Sequence, residues 1–216
     1  MQNLKMARLI KKNAFLGLIL MLFFSFSLKA GQEEATSFVN ETGRALLEAF
    51  SYQDIAKKHQ MLEILFENKT DTGHIADFTL GTYRRLFNEN QKQRYHALFK
   101  RYLKALYQSY PLNFDVKGAD FEVLSVRQNG MFYDVSCLID LPEKYRTEDI
   151  SQVKVNFQLK EDQGSIKLVD FKISEASMAS TLKDRVMQMI KDDEEEVEWF
   201  LEDFEDLTIS NEKNVQ

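Results

Sequence analysis

The hydrophobic period of this chain changes at Pro111, and that change limits what it can fold into. From Gln91 to Tyr110 the apolar residues Tyr95, Leu98, Phe99, Tyr102, Leu103, Leu106, Tyr107 and Tyr110 recur every three or four positions. Such spacing lays them along one face of a helix. Asn88, three residues ahead of Gln91, predicts a capping-box start, and Pro111, which has no backbone N–H, predicts the stop. Beyond Pro111 the period falls to two. Phe121 to Val126 alternates, a Gln128-Asn129-Gly130 turn follows, and Met131, Tyr133, Val135, Cys137, Ile139 and Leu141 share the next apolar face. Val153 to Leu159 alternates in the same way, and after Gln163-Gly164 so do Val169, Phe171 and Ile173. Alternation of this kind belongs to antiparallel strands with one buried face.

Helical spacing returns over 177–190, where Met178, Leu182, Val186, Met189 and Ile190 share a face, and then in a short acidic helix through Val197, Phe200, Leu201 and Phe204. Upstream, Phe38, Thr42, Ala45, Leu46, Ala49 and Phe50 form one stripe, with a looser one through Ile55, Met61, Leu62, Leu65 and Phe66; a turn separates them at 51–53, and a break follows at 68–73. Helices, then a meander, then helices predicts an α+β domain whose helices cover one face of a curved antiparallel sheet. No repeat or Pro-rich linker divides it, so residues 31–206 read as a single domain and 207–216 as a flexible tail.

The first thirty residues read differently. Lys5, Arg8, Lys11 and Lys12 precede an uncharged run from Ala14 to Leu28, and Lys29-Ala30 follows. As a helix the run would span about 22 Å, short of the roughly 30 Å hydrocarbon core of a bilayer. This is the pattern of a cleaved secretory signal peptide over 1–30, cut after Ala30 or, second, after Ser27, and it predicts export to the periplasm. An uncleaved anchor is the alternative. A lipid anchor is not expected, because no cysteine lies near the site.

Charge and chemistry exclude more than they propose. Five of the 28 bases lie in residues 1–30, and Asp192 to Asp206 holds ten acids without a base. A net-acidic chain of this kind repels phosphate backbones, so nucleic acid is not an expected partner. Cys137 is the only cysteine, and His59, His74 and His96 are scattered. Neither a zinc or iron–sulfur ligand set nor a nucleophile, metalloprotease, phosphate-loop or dinucleotide motif is present. His74 and Asp77, three apart, could form a base with an orienting carboxylate, but a surface hydrogen-bonded pair is the plainer reading. Cys137 reads as a packed hydrophobe on an apolar strand face, and 192–196 as a solvated acidic segment without the ligand spacing of a calcium loop. We expect no catalytic residue, metal or cofactor. The apolar faces of the two layers fit either a packed core or a cavity, and periodicity alone does not separate them.

Residues 79–107 carry a more specific pattern: Leu80-Gly81-Thr82-Tyr83-Arg84-Arg85, then Asn88, Gln91-Lys92, Tyr95, Phe99, Leu103 and Tyr107. Downstream, Val155-Asn156-Phe157-Gln158-Leu159, Gly164, Lys167, Asp170 and Ser177 continue it. In this order the set resembles the MlaC family, also called the toluene-tolerance auxiliary family, over roughly residues 36–205, nearly all of the chain that follows the first thirty residues. The chain departs from the family pattern at Arg84, Phe87, Glu89, Ile166 and Asp192-Asp193.

The resemblance implies a strongly curved, mainly antiparallel mixed sheet covered by helices and enclosing an apolar pocket. It implies a monomeric periplasmic phospholipid carrier with the acyl tails buried. Its partners would be an inner-membrane ABC transporter with its MCE-domain protein and an outer-membrane lipoprotein complex, and its role the lipid asymmetry of the outer membrane. Under that reading, alternation assigns Val135, Cys137, Ile139, Val155, Phe157, Val169, Phe171 and Ile173 to the wall, facing Phe99, Leu103, Leu106 and Met178. One rival is an isomerase or dehydratase on a similar cone-shaped fold acting on a small apolar substrate, which would need an acid or base in the cavity. Another is an interaction protein with a solid core.

Overall fold

The computed structural model describes residues 31–109 and 119–213. The expected signal peptide at 1–30 and the expected helix stop at Pro111 lie outside the described residues. A helix over 31–51 (α1) leads to α2 (Ile55–Lys69), α3 (Thr72–Leu80), a 3-10 turn (Gly81–Leu86) and α4 (Glu89–Ser109). Strands β1 (Asp120–Asn129), β2 (Phe132–Asp140), β3 (Gln152–Asp162), β4 (Ser165–Ile173) and β5 (Ala176–Ser177) form one sheet in sequence order. Helices α5 (Met178–Asp192) and α6 (Val197–Lys213) complete the fold. Every strand pairing is antiparallel, and the parallel component is a single bridge between Thr70 and Leu168. The architecture is the expected α+β one, with an open sheet.

Local chemistry sets the helix boundaries. The capping box at α4 forms in both directions: Gln91 N donates to Asn88 Oδ1 at 3.0 Å, and Asn88 N donates to Gln91 Oε1 at 2.9 Å. Asp71 caps α3 by accepting from His74 N at 2.9 Å. Gly81 ends α3 at φ +53°, where a Cβ would stand 2.7 Å from Met187 Sδ and 2.9 Å from Lys183 Cε, so its missing side chain lets α5 approach.

The apolar faces pack as two large bodies, with a smaller cluster of Ala49 and Leu62 between α1 and α2. Phe66, Ile75, Leu80, Phe87, Tyr95, Phe99, Tyr102, Val186, Ile190, Phe200 and Phe204 form a helical core in which aromatic rings dominate. One buried hydroxyl pair there is satisfied, because Thr79 Oγ1 and Tyr95 OH lie 2.7 Å apart. A second cluster joins Ala35, Phe38 and Val39 of α1 to Tyr133, Val135, Cys137, Leu159 and Ile166 on one face of the sheet. The opposite face is polar: Ser136 Oγ donates to Asn156 Oδ1 at 2.6 Å, and Gln158 Nε2 to Asp134 Oδ1 at 3.4 Å. Asp170 ties the two bodies together by accepting from Ser177 Oγ at 2.6 Å and from Ala179 N at 2.9 Å, which anchors the start of α5 on β4.

Three expectations are corrected. The tail expected from residue 207 is helical to Lys213, because Leu207 packs on the helical core and Thr208 is fully buried. Met131, expected inward, is a turn residue and 53% exposed. Val169 is out of step with Phe171 and Ile173. The β3–β4 register shifts by one residue beside Gln158, so Phe157 pairs with Phe171 but Leu159 with Leu168. A bulge of this kind reverses the facing of whatever lies beyond it.

Candidate functional site

The space between α1 and the sheet is not filled. Over Tyr133 and Val135 the helix sits directly on the strands, but further along it stands off and leaves a hollow of about 390 Å³. Gly43, Leu46, Leu47 and Phe50 of α1 form one wall. Phe121 of β1, Cys137 and Ile139 of β2, and Val153, Val155 and Phe157 of β3 form the other. At Gly43 the two walls approach closely: a Cβ there would meet the Phe121 ring at 2.6 Å.

A second hollow, of about 460 Å³, lies beside it between α4, β4 and α5. Leu103, Leu106 and Tyr107 face Phe171 and Ile173 across it, and Met178, Thr181 and Leu182 close one side. Both volumes fall within the roughly 300–1,000 Å³ in which proteins bury small ligands. No Asp, Glu, His, Lys or Arg lines either hollow among the described residues. A third depression, about 610 Å³, is a groove between α1 and edge strand β1 walled on the helix side by Gln32, Glu33, Thr36, Ser37 and Asn40. Its polar wall suits water better than hydrocarbon.

Nine of the twelve expected wall residues lie on these hollows: Cys137, Ile139, Val155 and Phe157 on the first, Leu103, Leu106, Phe171 and Met178 on the second, and Ile173 on both. The other three do not. Phe99 is fully buried in the helical core and stacks on Phe204, Val135 is fully buried beneath α1, and the β4 bulge takes Val169 out of phase. Sequence reasoning missed the contribution of α1, although Leu46 and Phe50 lie in the stripe read there.

The reactive groups are held inert or lie elsewhere. Burial pushes the Cys137 thiol up to about 11, so it stays protonated at neutral pH and packs as a small hydrophobe. His74 and Asp77 do not pair. His74 stacks on Phe132 with ring centroids 5.8 Å apart, and Asp77 accepts from Arg84 at 3.1 and 3.2 Å and lies 2.9 Å from His96 Nε2. Burial pushes the Asp77 carboxyl up, but the hydrogen bonds from Arg84 and His96 outweigh it and hold the group below the usual carboxylate range. No group of three metal-binding side chains occurs among the described residues.

A sequence model of the MlaC protein family matches residues 37–205, well over half of the chain. The chain belongs to the MlaC family. No curated protein matches it in sequence. Among solved structures it is similar to the phospholipid-binding protein from Ralstonia solanacearum, determined in complex with a phospholipid. The TM-score is 0.65 at 14% identity, over 82% of this chain and 98% of that one. At this identity the likeness shows the fold.

The MlaC-like residues quoted from the sequence are chiefly structural in this fold. Leu80 and Tyr95 are core, Gly81 makes room for α5, Asn88 and Gln91 cap α4, and Asp170 with Ser177 anchors α5. The walls of the hollows depend on alternation and shape, so conservative apolar exchange there leaves no motif.

Proposed function

We propose that this chain is a periplasmic phospholipid carrier of the MlaC type, a monomer without enzymatic activity that is exported through a cleaved signal peptide. In this reading it takes lipid between an inner-membrane ABC transporter with its MCE-domain protein and an outer-membrane lipoprotein complex, and so supports outer-membrane lipid asymmetry. The single observation that carries the lipid-binding part is the pair of carbon-lined hollows beside the sheet, with no ionised side chain on their described walls. Membership of the MlaC family supports the transport role, and the Ralstonia solanacearum structure shows that a related fold holds a phospholipid.

The energetics match. At about 0.8 kcal/mol per methylene, an acyl chain of about fifteen methylenes costs roughly 12 kcal/mol to expose to water. A carrier that moves such a chain through water must replace the bilayer with apolar wall, and a charge in that wall would oppose it. An isomerase or dehydratase needs the opposite, an acid or base aimed into the cavity. Cys137, the one titratable group on the described walls of the first hollow, is held as a neutral thiol.

The test is lipid mass spectrometry of protein purified natively from the periplasm. Wild type is expected to carry phospholipid, and folded Ile139→Trp and Val155→Trp variants substantially less of it. Wild type that yields no lipid on solvent extraction rejects the proposal.

A further inference from the structure

Ten acids lie between Asp192 and Asp206, and ion pairing accounts for two of them. Glu198 and Glu205 bond Arg94 of α4, whereas the other eight have no basic partner among the described residues. Three of the eight, Glu202, Asp203 and Asp206, are exposed and stand three, four and seven residues after Trp199 on α6. That spacing puts all four on one face, opposite the face through which Val197, Leu201, Phe204 and Thr208 enter the core. Trp199 is the only tryptophan of the chain, and 56% of it is exposed.

The fold does not require this face. Asp193, which caps the end of α5, lies within hydrogen-bond reach of Asp203; burial, then Asp203 and Asp192, push its carboxyl up. Like charges so placed oppose the compact state. Glu194 and Glu195 take φ of +56° and +64°, positions that glycine or asparagine occupies more easily. A compact cation does not fit either, because no three carboxylates gather as metal ligands among the described residues. An anionic membrane or a nucleic acid would be repelled. A row of cations on a chain is what the face complements. From Trp199 to Asp206 it runs about 10 Å along the helix, and an indole ring attracts guanidinium and ammonium groups that the flanking carboxylates can bond. Tryptophan is also a side chain enriched where interfaces concentrate their binding energy.

We infer that this face of α6 docks an arginine- or lysine-rich segment of a partner protein, with Trp199 at its centre and Glu202, Asp203 and Asp206 around it. Charge complementarity selects that occupant. No residue of α6 lines either hollow, so failure of this inference leaves the carrier reading standing.

The experiment titrates the full mature protein with a ten-residue peptide that alternates arginine and alanine. Binding is read by the anisotropy of labelled peptide and, with unlabelled peptide, by the emission of the single tryptophan, which reports on this face alone. Wild type is expected to saturate at one peptide per protein with a shift in Trp199 emission. Trp199→Ala and the triple variant Glu202→Gln, Asp203→Asn, Asp206→Asn are each expected to bind at least about tenfold more weakly. A second triple variant, Glu143→Gln, Glu148→Gln, Asp149→Asn, removes the same charge from the exposed loop between β2 and β3 and is expected to bind as wild type does. Circular dichroism confirms folding, and every substituted side chain is exposed. Equal loss in the two triple variants shows an effect of net charge and overturns the inference, as does binding that leaves Trp199 emission unchanged. Absence of saturable peptide binding overturns it as well, whether or not Trp199 responds instead to calcium ion or to phosphatidylglycerol vesicles.

Discussion

Asp71 does two jobs at the junction of helix and sheet. It caps α3 through His74 N, and it accepts from Lys160 Nζ at 3.0 Å. Burial pushes its carboxyl up, but the His74 N–H and Lys160 outweigh that and hold it below the usual range. Because the folded value is depressed, the charge contributes stability above the unfolded value of about 3.9, and the contribution disappears as pH falls through the folded value. Asp71→Asn keeps a capping oxygen and removes the charge. It is expected to cost about 1 kcal/mol or less at pH 7, and the difference from wild type is expected to shrink below about pH 4, as read by urea denaturation across pH. At this scale the sequence was uneven. The Asn88–Gln91 capping box was legible because both partners lie within one turn. The Asp71–Lys160 pair was not, because the two residues are 89 positions apart.

The acidic end of the chain finds its explanation between elements. Arg94 bonds Glu198 at 3.3 Å and Glu205 at 2.9 Å, and Arg101 bonds Glu212 through two contacts at 2.9 and 2.7 Å. Residues seven apart on α4 thus meet residues seven apart on α6, and the two helices run parallel with their charges in register. Lys100 and Lys104, four apart, bond Glu67 and Glu63 of α2 in the reverse order, so α2 runs antiparallel to α4, which lies between two ionic seams. The turn from β4 to β5 shows the reverse situation, a sequence poorly suited to its backbone. Ile173 pairs with Ala176, and the two central residues, Ser174 and Glu175, have φ of +49° and +70°. Two-residue turns with both φ positive favour Asn-Gly, and a left-handed non-glycine residue costs roughly 1–2 kcal/mol. Glu175→Gly is therefore expected to raise stability by about 1 kcal/mol, seen as a higher denaturation midpoint at unchanged slope. A lower midpoint would show that the Glu175 side chain contributes more than its backbone costs.

For the molecule as a whole, a helical core and a sheet–helix layer are joined along β4, and the apolar hollows lie beside that joint. A ligand that binds the folded state alone stabilises it by mass action, by about 2.7 kcal/mol at a free concentration a hundredfold above Kd. Delipidated protein is accordingly expected to melt at a lower temperature than protein reloaded with phospholipid, in a thermal scan of the two forms. Equal melting temperatures would count against a lipid buried in these hollows.

The sequence by itself determined the element types, most of their order and the faces they bury, because helical and strand periods are local properties of a chain. It also carried the family resemblance, since capping and close-approach residues such as Asn88, Gly81 and Asp170 leave a recognisable pattern. Tertiary structure alone decided where the apolar faces meet and where they stand apart. Phe99 and Leu103 fall on the same stripe of α4, yet one is solid core and the other borders empty space. That difference depends on how α4 meets β4 and α5, distances between segments that no local period encodes.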